Sequence, residues 1–241
     1  MNGTAPIRLL RLLWIAALVL FVAVWLFPVS NRITRATGLA LFFVVWLGLI
    51  GLCWRRPTLR FSLLGVTLLL GGFLALPARS LPSADSLRSD YVSGLRRYDG
   101  VRYYWGGESP KGIDCSGLIR RGLIDSLFCR GLRTFDPGLV RRALSLWWHD
   151  TTASALGQQH AGLTVHLLDT PSVNQLDHTK ILPGDLAVTR GGAHIMAYIG
   201  DNHWIEADPE AGRVITVPVP ANDNGWFRTP MNIVRWSVLS Q

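Results

Sequence analysis

The sequence predicts an α+β domain preceded by a transmembrane helical segment. Residues 1–80 contain three apolar stretches without a charge, each close to the length that spans a bilayer. Beyond them, apolar residues first recur every three or four positions, as in a helix, and later alternate with polar ones, as in strands. Helices followed by strands are typical of an α+β architecture. We therefore expect a membrane region over 1–80 and one domain over 81–241.

Charge also divides the chain, near residue 84. The first part contains eight arginines and no acidic residue, whereas the remaining 16 of the 24 basic residues balance all 16 acidic residues. The formal net charge of +8 therefore belongs to the apolar part. Nucleic-acid binding requires a basic surface on the folded domain. The sequence thus predicts no nucleic-acid partner.

The three uncharged stretches cover residues 12–30, 36–54 and 61–78. About 20 apolar residues, at a rise of about 1.5 Å each, cross a hydrocarbon core of about 30 Å. We expect about three transmembrane helices, which makes the lipid bilayer a predicted partner. A cleaved signal peptide is the alternative for the first stretch, but no convincing cleavage site of small residues follows it.

The arginines predict how this segment is oriented. Two arginines near the amino terminus and three in the second loop outnumber the two in the first loop. Because positive charge accumulates on the cytoplasmic side, the amino terminus should be cytoplasmic. Three crossings then place residues 80–241 on the outer side of the membrane, whereas two crossings would leave them in the cytoplasm.

Cys115 has the surroundings of a nucleophile. Apolar residues recur after it at helical spacing, which places Cys115 in a first helical turn with Asp114 as a plausible cap. A thiol is a good nucleophile only when ionised, and a helix N-terminus and a nearby imidazole both lower the pKa of a thiol. The other cysteines, Cys53 and Cys129, complete neither a disulfide framework nor metal-ligand spacing, so we predict no metal and no cofactor.

Among six histidines, His194 is the candidate base. It opens an alternating run typical of a strand, which is rigid enough to direct an imidazole at a helix terminus. A third group should hold the imidazole in its working tautomer. A three-residue turn at 200–202 would place Glu206 on the face of His194, and a two-residue turn on the opposite face. Asp208 is the alternative orienting group, and a solvated strand carboxylate is the alternative for Glu206.

Four short motifs occur along the domain. They are Tyr-x-Trp-Gly-Gly from Tyr103, Asp-Cys-Ser-Gly from Asp114, Pro-Gly-Asp-Leu from Pro183 and His-x-x-x-Tyr-x-Gly from His194. With these motifs in this order, residues 85–240 resemble the NlpC/P60 family of papain-like cysteine peptidases. The resemblance implies a papain-like domain in which helices pack on an antiparallel sheet.

The resemblance also implies roles for individual residues. Cys115 is the expected nucleophile and His194 the base, while Glu206 falls on the third, polar position, where the family more often has His. Tyr103 is expected near the oxyanion and the substrate. Two residues flank the nucleophile where the family grips the free amino end of a peptide: Asp114 and Ser116.

The function implied by the resemblance is hydrolysis of an amide in peptidoglycan stem peptides, favouring the bond between D-glutamate and a diamino acid. This fits a multi-pass protein of the bacterial inner membrane with its domain on the periplasmic side. An acyltransferase, an amidase acting on another substrate, and a catalytically silent envelope protein that binds peptides are the alternatives. Glycines in the apolar stretches would also allow an envelope protein partner to pack on the transmembrane helices.

The resemblance is interrupted between Cys115 and Pro183, which lie 68 positions apart. We expect an insertion around 130–175. Its first part, 130–148, combines several arginines with a Trp-Trp pair. Such a segment either lies on a membrane surface or beside the substrate groove, or forms an extra helix packed on the core.

Overall fold

The computed structural model of the chain describes the backbone of residues 4–240 and the side chains of residues 8–240. Within these residues the protein has seven α-helices and eight β-strands. The helices are α1 (Thr4–Leu26), α2 (Arg32–Leu52), α3 (Pro57–Ala75), α4 (Ala84–Arg96), α5 (Cys115–Arg133), α6 (Pro137–Trp148) and α7 (Ala153–Gly157). The strands are β1 (Glu108–Ser109), β2 (Gly112–Ile113), β3 (Thr164–Thr170), β4 (Leu186–Thr189), β5 (Ile195–Gly200), β6 (His203–Asp208), β7 (Arg213–Pro218) and β8 (Met231–Trp236).

Helices α1, α2 and α3 occupy the predicted membrane region. The segments Arg8–Leu26, Arg32–Leu52 and Pro57–Ala75 are each long and apolar enough to cross a membrane. Many of their large apolar side chains are exposed, which a soluble domain avoids but a lipid-covered surface requires. The predicted helical membrane segment is therefore consistent with the structure.

The three helices end two to four residues before the uncharged stretches do. Pro28 lies just beyond the end of α1, where it cannot continue the helix. Asn31 caps α2, because its side chain accepts hydrogen bonds from the amides of Ile33 and Thr34. Pro57 begins α3 at a first-turn position, where a missing N–H has no cost.

A six-stranded sheet forms the second half of the domain, in the order β3-β8-β4-β5-β6-β7. All of its paired strands are antiparallel. Helices α4 and α5 cover one face, with a core that includes Leu87, Leu118, Ile195 and Ile205. Helices packed on an antiparallel sheet confirm the predicted α+β class.

The opposite face of the sheet carries a second core. It includes Met196, Trp204, Phe227 and Ile233. Successive residues of β5 alternate between the two cores, so the strand is buried on both faces. This burial makes β5 a rigid support for the residue that precedes it, His194.

Helix α6 accounts for the basic, aromatic segment at 130–148. It packs on α5 and buries Leu139 and Ala143 in the first core, which is the packed-helix alternative. The guanidinium of Arg141 also donates a hydrogen bond to the Leu74 carbonyl at 2.5 Å. Helix α6 therefore lies between the domain core and the end of α3.

The final strand is shorter than its sequence pattern predicts. Alternation predicts a strand over 233–239, but β8 ends at Trp236 and a 3-10 turn covers Ser237–Leu239. Its neighbour β3 and the short helix α7 lie in the expected insertion, and no periodicity predicted them. Residues 164–170 thus supply an edge strand to the sheet.

Candidate active site

Cys115 is the first residue of α5. Asp114 caps the helix from extended backbone (φ −98°, ψ 178°), and its carboxylate accepts hydrogen bonds from the Gly117 amide at 2.6 Å and the Ser116 hydroxyl at 3.0 Å. Within residues 4–240, the amides of Cys115 and Ser116 have no hydrogen-bond acceptor. Free amides and the helix dipole favour negative charge. The helix start is therefore suited to a thiolate or an oxyanion.

Close backbone contacts join the motif before Cys115 to the motif around it. A Cβ at Gly117 would lie 2.1 Å from the Gly107 carbonyl oxygen, and a Cβ at Gly107 would lie 2.3 Å from that of Gly112. The Asp114 amide donates to the Gly107 carbonyl at 3.0 Å. Its carboxylate also accepts the Gly106 amide at 2.9 Å. The two motifs thus pack as one unit, and a side chain at Gly107 or Gly117 would prevent this close backbone approach.

His194 lies immediately before β5 and is only 1% exposed. Its amide donates to the Thr189 hydroxyl at 3.0 Å. The indole of Trp226 stacks on the imidazole, with a centroid separation of 4.4 Å and an interplanar angle of 15°. These contacts hold the ring in one orientation.

Glu206, on β6, contacts the imidazole and has no exposed surface. Its Oε2 lies 2.5 Å from Nε2 of His194. Its other oxygen accepts a hydrogen bond from Nδ2 of Asn224 at 2.6 Å. Because Nε2 is engaged by the carboxylate, Nδ1 is the imidazole nitrogen left for the Cys115 thiol.

Two neighbouring groups control the protonation of the imidazole. Burial lowers the pKa of His194, but hydrogen bonds with Cys115 and Glu206 outweigh burial and raise the pKa to about 9. The imidazole is therefore protonated at neutral pH. A protonated imidazole beside a sulfur is the arrangement in which a cysteine acts as a thiolate nucleophile.

A turn other than the predicted one brings Glu206 to His194. Strands β5 and β6 are joined by a two-residue turn, in which Asp201 and Asn202 have φ of 52° and 56°. A bulge just before Gly200, whose φ is 92°, shifts the register by one residue. The bulge restores the parity that the shorter turn would have lost. Glu206 consequently stays on the face of His194 as a diagonal neighbour.

Tyr103 lies beside the start of α5. Burial, together with the negative charge of Cys115 and its neighbours, raises the pKa of the Tyr103 hydroxyl to about 12. The hydroxyl is therefore a hydrogen-bond donor at neutral pH.

Asp208, the alternative orienting group for His194, instead accepts a hydrogen bond from the Glu210 amide at 2.8 Å. Among the described residues, Glu206 rather than Asp208 hydrogen bonds to His194.

The two residues flanking the nucleophile already contact each other. Both carboxylate oxygens of Asp114 accept hydrogen bonds from the protein, and one of them accepts the Ser116 hydroxyl. This geometry makes Asp114 a helix cap. The expected contact of Asp114 and Ser116 with the free amino end of a peptide stays a prediction.

Two residues of the site were not predicted from the sequence, and both lie in the segment 221–230, whose composition is typical of a loop. They are Asn224, which holds Glu206, and Trp226, which covers His194. The side-chain oxygen of Asn224 accepts the Trp226 amide at 2.9 Å, so the two residues form one unit. The only signal is the Trp226-Phe227 pair in a mostly polar segment, and no periodicity accompanies it.

Two of the known proteins similar to this chain are named as murein or peptidoglycan hydrolases. No family model matches the chain. The murein DD-endopeptidase MepS/murein LD-carboxypeptidase of Escherichia coli K12 is 30% identical over 133 residues, covering 54% of this chain and 54% of that protein. The peptidoglycan hydrolase RipB from Mycobacterium tuberculosis is 21% identical, with a TM-score of 0.41, covering 69% of this chain and 76% of that one. An NlpC/P60 family protein from Bacillus cereus is 20% identical, with a TM-score of 0.40, covering 65% and 41%.

The chain resembles NlpC/P60 proteins. The family resemblance predicted from the motifs is confirmed. The chain spans about half the length of the curated relatives it matches.

Within the NlpC/P60-like domain, the Pro-Gly-Asp-Leu motif is structural, because Asp185 is fully buried and pairs with Arg235 at 2.6 Å. Gly184, at φ 94°, makes the turn into β4.

Proposed function

We propose that the chain is a membrane-anchored cysteine hydrolase that cleaves an amide bond in peptidoglycan stem peptides. The observation that carries the proposal is the arrangement at the start of α5. There Cys115 has free helix amides beside it, and the buried His194 is held by Glu206 at 2.5 Å. A protein that only binds peptides gains nothing from a nucleophile, a base and an orienting carboxylate in this order.

In the proposed acylation step, the sulfur of Cys115 attacks the amide carbonyl carbon, and the thiol proton resides on Nδ1 of His194. A C–S bond forms while an electron pair moves to the carbonyl oxygen. The Cys115 amide and the Tyr103 hydroxyl donate hydrogen bonds to this oxyanion. Its collapse breaks the C–N bond, and His194 transfers its proton to the departing amine.

In the proposed deacylation step, water attacks the thioester carbonyl and transfers a proton to His194. Collapse of the second oxyanion breaks the C–S bond and releases a carboxylic acid. Glu206 stabilises the imidazolium in both steps and holds Nδ1 toward the sulfur. Asn224 and Trp226 position Glu206 and His194, respectively.

The favoured bond in this proposal joins D-glutamate to a diamino acid. That preference rests on the resemblance to the NlpC/P60 family. The name of the E. coli relative describes DD-endopeptidase and LD-carboxypeptidase activities, which supports murein peptides as the substrate class but describes other bonds. The identity of the products therefore decides between these bonds.

We also propose that α1, α2 and α3 span a bacterial inner membrane and leave the domain on its periplasmic side. After α1, the Ser30 amide donates to the Gly106 carbonyl at 2.8 Å, and the end of α3 accepts a hydrogen bond from Arg141. Both helix ends thus lie on the side of the domain, as three crossings require. The arginine-rich second loop then lies on the opposite, cytoplasmic side. The bilayer, and an envelope protein packed on these helices, are the proposed partners.

Detergent-solubilised full-length chain, incubated with purified peptidoglycan and defined stem peptides, tests the proposal by mass spectrometry of the products. We expect cleavage by the unaltered protein and by Cys129→Ala, and none by Cys115→Ala. Cys129 is the matched control, because it is a free, exposed cysteine on the same helix. Equal cleavage by Cys115→Ala would contradict the proposal, and products joined to an added amine would favour acyl transfer.

A further inference from the structure

The loop between α1 and α2 pairs with the glycine segment that precedes Cys115. Val29 forms an antiparallel bridge with Gly107. The neighbouring Ser30 amide donates to the Gly106 carbonyl at 2.8 Å. Gly106 and Gly107 belong to the segment that packs on the start of α5. The membrane segment therefore contacts the same backbone that holds the cap of the nucleophile helix.

Arg35, in the first turn of α2, makes a second contact with the domain. It is only 4% exposed, although it belongs to a helix that could span a membrane. Its guanidinium donates to Oε2 of Glu108 at 2.7 Å and to the Trp147 carbonyl at 2.5 Å. It also donates to the Ser30 hydroxyl at 3.0 Å, which ties it to the loop. A charge this well satisfied is part of a specific interface.

Both contacts continue to α5. The first reaches its cap, because the Gly106 amide donates to the Asp114 carboxylate at 2.9 Å. The second reaches its second turn, because Oε1 of Glu108 lies 3.2 Å from Nη1 of Arg120. Arg120 follows Cys115 by five residues. The membrane segment is thus connected to α5 at two points on either side of Cys115.

The Glu108 carboxylate depends on both arginines to remain charged. Burial raises its pKa to about 7; the positive charges of Arg120, Arg35 and Arg121 oppose that rise, and the negative charge of Asp150 adds to it. Loss of Arg35 would let Glu108 take up a proton at neutral pH. A neutral Glu108 would hold Arg120 less strongly, and Arg120 would then depend on Asp150 and on the carbonyls of Leu146 and His149.

We propose that Arg35 and the Val29–Ser30 loop are positioning elements for Cys115, so that the membrane segment is part of the active unit as well as a tether. Arg35 acts through Glu108 and Arg120, and the loop acts through Gly106 and the Asp114 cap. Neither element touches the reacting atoms. The inference rests on the proposed function only in taking Cys115 as the nucleophile.

The reactivity of Cys115 toward iodoacetamide tests this inference without a substrate. Detergent-solubilised full-length protein is alkylated across a pH series, and peptide mass spectrometry follows Cys115 separately from Cys53 and Cys129. For Arg35→Met we expect a rate at neutral pH lower by about five-fold or more, comparable to the loss of one helix-capping interaction, and a pH midpoint moved upward. Arg35→Lys should recover part of the rate, because it keeps the charge opposite Glu108.

Arg32→Met is the matched control, since Arg32 is the first residue of α2, three positions before Arg35, and is exposed. It should leave the rate and the midpoint unchanged. An unchanged rate and midpoint in Arg35→Met would overturn the inference, as would a loss that merely follows global unfolding in both Arg35 variants. An Arg35-dependent thiol in a protein that cleaves no stem peptide would instead retain the inference and remove the proposed function.

Discussion

Two buried ion pairs support the candidate active site, and the chain assembles them in different ways. The imidazole pair, His194 with Glu206, joins residues 12 positions apart on neighbouring strands. The anchor pair, Arg35 with Glu108, joins residues 73 positions apart, one in the membrane segment and one in the domain. The first pair forms wherever the hairpin forms, whereas the second exists only if the membrane segment docks. The contact between the proposed base and its carboxylate is thus local in the sequence, whereas the contact between the membrane segment and the domain is long-range.

Removing the imidazole of His194, the proposed base, should have the largest effect on the cleavage rate. His194→Ala removes both the proton acceptor of the thiol and the proton donor for the leaving amine. We expect the rate of stem-peptide cleavage to fall by roughly a thousand-fold or more. Mass-spectrometric product formation over time gives the rate.

His166→Ala provides the control for this substitution. His166 also pairs with a carboxylate, because its Nε2 lies 2.9 Å from Oδ1 of Asp169, but both side chains are largely exposed. Exposed ion pairs contribute little to stability or function. Activity should therefore be unchanged in His166→Ala, and a comparable loss in both variants would mean that His194 has no special part in the reaction.

Removing the charge of Glu206, the carboxylate of the imidazole pair, should have the next largest effect on activity. Glu206→Gln keeps the shape of the side chain but removes its charge, so the imidazolium loses stabilisation. We expect kcat to fall by roughly a hundred-fold and the basic limb of the pH–rate profile to move downward from about 9. Asp208→Asn, on the same strand, should retain the position of that limb, and a limb that stays in place in Glu206→Gln would refute the pairing.

The same pair should also appear in the pH dependence of stability. A folded-state pKa raised from 6.5 to about 9 means that protonated His194 stabilises the fold. This contribution is fully present below pH 6.5 and is lost as the pH rises through about 9. Urea unfolding of the solubilised protein at both ends of this pH window gives the free energy of unfolding. Between the two pH values, this free energy should fall less in Glu206→Gln than in the unaltered chain. Equal losses would mean that Glu206 does not set the pKa of His194.

Breaking the anchor pair should cost stability more than chemistry. Glu108→Gln leaves two buried guanidinium groups, those of Arg35 and Arg120, with only the half-exposed Asp150 as a neighbouring carboxylate. Removing one partner of a buried pair typically costs about 3 kcal/mol or more, and we expect a smaller loss of activity than at Glu206. Thermal unfolding in detergent measures the cost. Asp85→Asn is the control, because Asp85 is almost fully exposed and lies 4.0 Å from Arg88.

Local patterns predicted that His194 and Glu206 share one face of the sheet, as the structure has them, while their roles stay predictions. Strand alternation identified His194 and placed Glu206 on its face, although the structure reaches that face through a bulge at Gly200 and not through a longer turn. The helix that starts at Cys115 followed from apolar spacing and the preceding Asp114. Each of these signals lies within about 15 residues, the range over which periodicity and capping act.

The sequence could not predict contacts made by docking. Arg35 was counted only as a charge in a loop, since nothing near it in the chain indicates Glu108 as its partner. The basic, aromatic pattern of helix α6 had three interpretations, and its packing on α5 and α3 supports the packed helix. The contact of Asn224 with Glu206 could not be predicted for the same reason. Loop residues show no hydrophobic periodicity that indicates which residue a side chain contacts.

Asn224 should have the smallest effect and also the one that best separates positioning from chemistry. Asn224→Ala removes the hydrogen bond to Oε1 of Glu206 but leaves Oε2 on the imidazole. A single hydrogen bond to a charged, buried group is worth about 1.5–3 kcal/mol in stability, of which only part reaches the reaction. We therefore expect a several-fold fall in kcat with KM unchanged, and rescue by Asn224→Gln only if the longer amide still reaches Glu206. A raised KM with unchanged kcat would place Asn224 in substrate binding instead, and the imidazole pair would then stand without its support from the 221–230 loop.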